Sequence, residues 1–141
     1  MRKIIDKLGL VSIQKGQLLV ARSKGKDIFY IPGGKREPGE TDQEALTREC
    51  QEELSVTLHQ DSMVKLGEFE APAHGKSEDT IVRVMAYTAN FTEKLRANTE
   101  IEELAWFSYD NLNRCSLATQ KIMQHLHEQG LLISQVDVKK P

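Results

Sequence analysis

Residues 33–56 read GGKREPGETDQEALTRECQEELSV, with seven acidic side chains, three of which (Glu49, Glu52 and Glu53) crowd into one short run. The paired glycines and the Pro38-Gly39 step make the first part a structured turn. Thr41 or Asp42 can cap a helix, acidic residues fill its first turn, and Leu46, Cys50 and Leu54 recur at intervals of four. That pattern predicts a helix running to about Leu54. At about 100° per residue the three glutamates share one arc and the apolar trio the neighbouring one. Like charges three and four residues apart destabilise an isolated helix, so the acidic arc needs compensation. A divalent cation would supply it, and Mg²⁺, a hard ion that takes carboxylate, carbonyl, water and phosphate oxygens, suits such a face. Arg48, four residues before Glu52, can ease the repulsion through a charge-assisted hydrogen bond. A glutamate-rich helix face by itself is usually only a solvated surface.

This face is not by itself. Gly34, Glu40 after five intervening residues, and Arg48-Glu49-Cys50-Gln51-Glu52-Glu53 after seven more fit the Nudix box, G-x5-E-x7-R-E-U-x-E-E-x-G-U with U a bulky apolar residue. Six fixed identities at fixed spacing would arise by chance on the order of once in ten million windows. The chain resembles Nudix hydrolases of the compact MutT-like type. The box covers residues 34–56, and the order of flanking strands with the EIEELAWF segment extends the resemblance over almost the whole chain. It departs from the box at Ser55, which replaces the second glycine, and at Cys50 in the first U position.

The resemblance implies Mg²⁺-dependent hydrolysis, with Mn²⁺ as a substitute, of a nucleoside diphosphate linked to some group X. A (d)NTP or modified nucleotide is the leading substrate class, attacked by metal-activated water. Glu49 and Glu53 look like the principal metal ligands, with Glu52 a further ligand or the residue that orients water, and Gly34 offers its backbone carbonyl. Glu40 resembles the box glutamate that ties the loop to the helix, and Arg48 the arginine that orients the catalytic glutamates. Glu52 is the first candidate for general base, and Glu100, Glu102 or Glu103 the second. Arg22 resembles a phosphate-contacting arginine, and Lys35 directly follows the paired glycines. Phe29 or Tyr30 could stack on a base, since alternation along a strand points one inward and the other away; Phe29 is taken as the substrate-binding candidate. Arg83 faces either the cleft or solvent, and His74 is a candidate for the cleft rim. Where MutT-like enzymes that remove oxidised guanine nucleotides carry an asparagine, this chain has Thr119. The alternative is a Nudix-fold nucleotide sensor without activity. An isopentenyl diphosphate isomerase would need a catalytic cysteine, and Cys50 lies on the apolar side of the box helix.

Outward from the box, Leu8–Gln14 and Gln17–Arg22 read as two strands joined by Lys15-Gly16. IFYIP is a short β-prone run, MVKLGEFEA and TIVRVMAYTANF read as strands around the polar loop PAHGKSED, and EIEELAWF as a strand ending at Trp106-Phe107. LATQKIMQHLHEQG suggests an amphipathic helix with Leu117, Ile122 and Leu126 inward and Gly130 as terminator. The expected fold is α+β, a mixed β-sheet sandwiched between helices (α/β/α), in a single domain spanning 1–141. The tail 131–141 is read either as a short added strand or as a mobile end.

At 141 residues the chain can bury a single core, and 28% charged with 39% hydrophobic residues is ordinary globular usage. The net charge of −2 gives no cationic field for gripping a polymeric nucleic acid, so none is expected as a partner. Neither a signal peptide nor an apolar membrane span is evident, which leads to the expectation of a cytoplasmic protein without membrane association. Cys50 and Cys115 fit neither a disulfide framework nor a zinc site. The strand near the N-terminus could pair two copies into a homodimer.

Overall fold

The computed structural model describes residues 3–73 and 79–134. The elements run β1 (Lys3–Leu10), β2 (Ile13–Gln14), β3 (Gln17–Ser23), β4 (Gly33–Lys35), α1 (Asp42–Leu54), β5 (His59–Pro72), β6 (Thr80–Asn90), β7 (Ile101–Phe107) and α2 (Leu117–Glu128). A 3₁₀ turn at Tyr109–Arg114 precedes α2.

Alternation along the strands explains the layering. Leu18 and Val20 of β3 enter one core with Val84 and Ala86 of β6, and there they meet Ile122, Met123 and Leu126 of α2. The intervening Leu19 and Tyr87 enter a second core with Leu8 and Leu10 of β1, covered by Leu46, Cys50 and Leu54 of α1. Successive side chains on a strand point to opposite faces. The strand layer is therefore covered by one helix on each face, the expected α/β/α arrangement.

Within that layer the strands divide between two sheets. One has the order β4-β1-β6-β5 and is parallel only where β1 meets β6; the other, β2-β3-β7, is antiparallel throughout. The strand expected at Leu8–Gln14 breaks at Val11-Ser12. Val11 N–H donates to the Tyr87 carbonyl and the Ser12 carbonyl accepts from Leu19, so the chain steps from one sheet to the other. The Lys15-Gly16 turn is present, with φ of 52° and 76° at its two residues, the positive pair whose twist suits a two-residue hairpin.

IFYIP is not a strand; it makes only isolated bridges, Phe29 to Cys115 and Tyr30 to Ala21. The strand forms directly after it, on the glycines read as turn, because β1 lies alongside: a Cβ on Gly33 would overlap the Leu8 carbonyl. In α2, Ile122 and Leu126 are fully buried, but Leu117 is 40% exposed, since the first helical position faces outward rather than onto the core. After Gly130, Ile133 donates to the Gly16 carbonyl and accepts from Tyr109, a tie that holds this end down without forming a strand. His74 and the tail from 135 lie outside the described residues.

Helix α1 ends where Ser55 takes a left-handed conformation, φ 61° and ψ 32°, with its N–H donating to the Gln51 carbonyl. That conformation costs a residue with a Cβ about 1–2 kcal/mol. Ser55→Gly is therefore expected to stabilise the domain by about 1 kcal/mol, a rise of roughly 2–4 °C in Tm at this chain length. A thermal melt with unchanged or lower Tm would overturn this.

Candidate active site

The box helix is prepared at its start. Thr41 Oγ1 accepts from the Glu44 N–H at 3.1 Å and the Glu44 carboxylate accepts from the Thr41 N–H at 2.9 Å, a reciprocal cap that satisfies two end donors. One turn further, Arg48 uses its five N–H donors on five acceptors. Nε and Nη2 grip both oxygens of Glu40 at 2.8 and 2.9 Å; Nη1 reaches Glu49 at 2.8 Å and Glu52 at 3.4 Å; Nη2 also reaches the Lys35 carbonyl at 3.1 Å. Its tight partners are thus Glu40 and Glu49, and the anticipated Glu52 contact is the longest. The guanidinium, and then the Glu37 N–H, hold the Glu40 carboxyl down at about 2. The loop and the helix are joined through a single planar cation.

Glu49 and Glu53 lie one turn apart beside the glycine pair. A Cβ on Gly34 would overlap the Glu49 carboxylate, so any side chain there would push Glu49 out of its present position. Glu53 Oε1 accepts from the Gly33 N–H at 2.8 Å. Burial pushes the Glu53 carboxyl up to about 7; the Gly33 bond opposes this, and the charges of Glu49 and Glu52 add to it. Glu52 stands at the rim, its side chain 56% exposed against 16% for Glu49.

Glu100 is exposed, just before β7. Its segment is tied to the end of α1 by a residue that the local sequence pattern does not mark, Asn98. The Asn98 amide donates to the Glu52 carbonyl at 2.8 Å, its N–H donates to the Glu53 carbonyl, and its Oδ1 accepts from the N–H groups of Glu100 and Ile101. Together with the Arg96 N–H on the Leu54 carbonyl, this caps the last turn of α1 with the segment that carries Glu100. Asn98→Ala is expected to cost about 1 kcal/mol, read as a fall of roughly 2–4 °C in Tm.

Tyr30 replaces Phe29 as the aromatic of the site. Phe29 is 1% exposed, its ring against Phe107 and beneath Arg114, so it has no face left for a base. The Tyr30 hydroxyl shares a 2.5 Å hydrogen bond with Ser23, and the charges of Glu53, Glu100 and Glu49 all act on it. Arg22 donates to the Lys26 carbonyl at 2.9 Å and to Glu103 at 3.3 Å. Lys35 is exposed at the end of β4, and Arg83 pairs with Glu70 across the sheet at 2.8 Å. Neither cysteine is poised for chemistry: burial raises both thiols, Cys115 to about 12.

A cavity of about 240 Å³ opens beside Gly33 and Gly34, lined by Tyr30, Ile31, Val82 and the start of α2 at Ser116–Thr119. Thr119 is 2% exposed; its hydroxyl accepts from the Ile31 N–H and bonds to Ser116.

A family model, described as the NUDIX domain, matches residues 8–126. The chain belongs to the Nudix family. It is 30% identical over 76 residues to the 8-oxo-dGTP diphosphatase of Escherichia coli, a match covering 51% of this chain and 59% of that enzyme, so it spans less than two thirds of that relative. It is 28% identical over 131 residues to the asymmetrical bis(5'-nucleosyl)-tetraphosphatase of Sus scrofa, covering 92% of this chain and 86% of that one. Among solved structures, the MutT protein of Methanosarcina mazei superposes with a TM-score of 0.72 at 16% identity, covering 92% of this chain and 96% of its own. That likeness concerns the Nudix fold alone.

The Nudix site fits a hard cation. Among the described residues no three His, Cys, Asp or Glu side chains already converge as a closed metal cage. Mg²⁺ does not require one, since it keeps several waters and takes one or two carboxylates with substrate phosphates. The oxygen donors Glu49 and Glu53 meet that demand, and the disfavoured charge on buried Glu53 is what a cation would offset.

Proposed function

We propose that this Nudix hydrolase cleaves a phosphoanhydride bond of a nucleoside diphosphate linked to X, a (d)NTP or modified nucleotide, with Mg²⁺ held by Glu49, Glu53 and the Gly34 carbonyl. The observation that carries the proposal is the Arg48 network, which fixes Glu40, Glu49 and the Lys35 backbone together next to an open cavity. When bound, the ion supplies charge neutralisation on the pyrophosphate and acidifies a water; Mn²⁺ can replace it.

The residues of the chain supply the remainder. Arg48 holds Glu49 in place, so the oxygens that would hold the ion do not reorganise during reaction. Glu52 is solvent-facing and only loosely held by Arg48, which leaves it free to accept a proton from the attacking water; Glu100, hung on Asn98, is the second candidate for that role. Lys35 lies where phosphate oxygens arrive. Tyr30 and the apolar walls receive the base or X. The printed names of the two curated relatives support a nucleotide as substrate. The engaged hydroxyl of Thr119 offers no amide to the edge of an oxidised guanine, which favours other nucleotides. The whole chain, 1–141, is taken as one such domain acting in the cytoplasm on a small molecule; no helix among the described residues is long and apolar enough to cross a membrane.

The test is a Mg²⁺-dependent phosphate-release screen over nucleoside triphosphates, nucleotide sugars, dinucleoside polyphosphates and oxidised nucleotides. Turnover of one class, lost with EDTA and in Glu53→Gln, is the expected result. Binding of Mg²⁺ and nucleotide without any turnover would replace this proposal with an inactive nucleotide sensor.

A further inference from the structure

In the β1–β4 ladder Lys7 is directly opposite Lys35. Residues directly opposite in an antiparallel pair project from the same face, and like charges there are destabilising. Lys7 is also half-buried and lines the cavity beside the glycine pair. The described walls of that cavity carry no aspartate or glutamate. Among the described residues neither ammonium has an ion-pair partner within 4.0 Å, although Glu53 and Glu49 act on Lys7 from further off. The stem of Lys7 lies along the cavity wall, and its ammonium is left facing a second ammonium across the ladder rather than an acidic partner. Burial and the facing Lys35 both disfavour the charge on Lys7, and Glu53 and Glu49, more distant, offset that only in part.

We infer that Lys7 and Lys35 form an anion subsite at the mouth of the cavity that binds a terminal phosphate of the substrate, Lys7 being its specificity-determining member. The inference deepens the hydrolase proposal and rests on it for the substrate. A terminal phosphate carries close to two negative charges at neutral pH and an internal, esterified one carries a single charge, so a pair of ammonium groups matches the terminal group. The subsite therefore favours nucleoside polyphosphates with a free terminal phosphate over nucleotide sugars, in which the terminal phosphate is esterified. The glutamates of α1 hold the cation side of the substrate, and the lysines of β1 and β4 hold the anion that the cation leaves uncovered.

The probe is inorganic pyrophosphate, titrated calorimetrically in Mg²⁺ buffer into the wild type, Lys7→Met and Lys7→Arg. Lys7→Met should weaken binding roughly 10-fold or more, the usual size of a lost charged hydrogen bond, and Lys7→Arg should stay near the wild type. Because methionine suits the apolar walls and relieves the lysine pair, Lys7→Met should also melt at or above the wild-type temperature, which separates lost binding from lost fold. Where the wild type turns over substrate, the preference in kcat/KM for triphosphates over nucleotide sugars should shrink in Lys7→Met. Wild-type affinity for pyrophosphate in a folded Lys7→Met protein overturns the inference. A wild type that hydrolyses nothing overturns the hydrolase proposal instead, and the pyrophosphate titration still decides on the lysines.

Discussion

Arg48→Lys should reduce kcat by about 100-fold or more while the domain still folds, because misplacing reacting groups by an ångström is enough for a loss of that size. Lysine keeps the positive charge but offers three donors from one point, whereas Arg48 serves Glu40 with two parallel bonds and Glu49, Glu52 and the Lys35 carbonyl with three more. A lysine that reaches Glu40 cannot also reach Glu49 and the loop carbonyl. Glu49 would then drift from Gly34, and the oxygen pair expected to meet the metal would lose its geometry. Acid unfolding supplies a second readout. Glu40 is held down at about 2, so the stability it contributes is present above its ordinary value of 4.5 and is lost as the pH falls through about 2. In Arg48→Lys the Glu40 carboxyl should return toward 4.5, moving the acid-unfolding midpoint to higher pH. Kinetics within threefold of the wild type, or an unmoved acid limb, would sink this account.

Glu53→Gln should abolish turnover, by about a thousandfold or more, and yet make the metal-free protein more stable above pH 7. The amide oxygen can keep the bond from the Gly33 N–H, so the local geometry survives. The charge does not. In the wild type the folded-state value of Glu53 is raised from 4.5 to about 7, so the folded protein holds a proton that the unfolded chain releases, and stability falls as the pH climbs from about 4.5 to about 7. Above that window the full cost is present, on the order of 1–3 kcal/mol. Glu53→Gln removes this descending limb. Adding Mg²⁺ should raise the Tm of the wild type, because the ion binds only the folded state, and should leave the variant nearly unchanged. Melting curves from pH 4 to pH 9, with EDTA and then with Mg²⁺, check both parts; parallel pH profiles for the two proteins would refute the argument.

The box and its helix were legible because every signal there is local: a cap, a first turn of acids, and an apolar residue at every fourth position from Leu46 to Leu54. Spacing pairs Arg48 with Glu52 one turn on, whereas its tight partners are Glu40, across the loop, and Glu49. What escaped depends on partners distant in the chain. Alternation says that one of Phe29 and Tyr30 points inward, but which one is decided by bridges to Cys115 and Ala21. Gly33-Gly34 reads as turn until β1 is set beside it, and no glycine or proline marks the step between sheets at Val11-Ser12. Asn98 sits in a polar run that resembles any surface turn, and its significance lies in carbonyls of α1, more than forty residues earlier. Lys7 interrupts an apolar strand and looks like a residue facing solvent until Lys35 is placed opposite it.

The strands β3 and β6 are the shared floor of two hydrophobic cores, one under each helix. Neither core can open without stripping the other, so amide protons along these strands should exchange only when the whole molecule unfolds. The segment that precedes β7 is more weakly anchored: it is largely exposed, with only the partly buried Phe91 and Leu95 against the α1 core, Glu93 on the Thr57 N–H, and backbone bonds with one asparagine to the end of α1. Its protons should exchange orders of magnitude faster, by an opening of its own. Glu100 thus rides on a part of the site held more lightly than the carboxylates of α1, free to open by itself while they keep still.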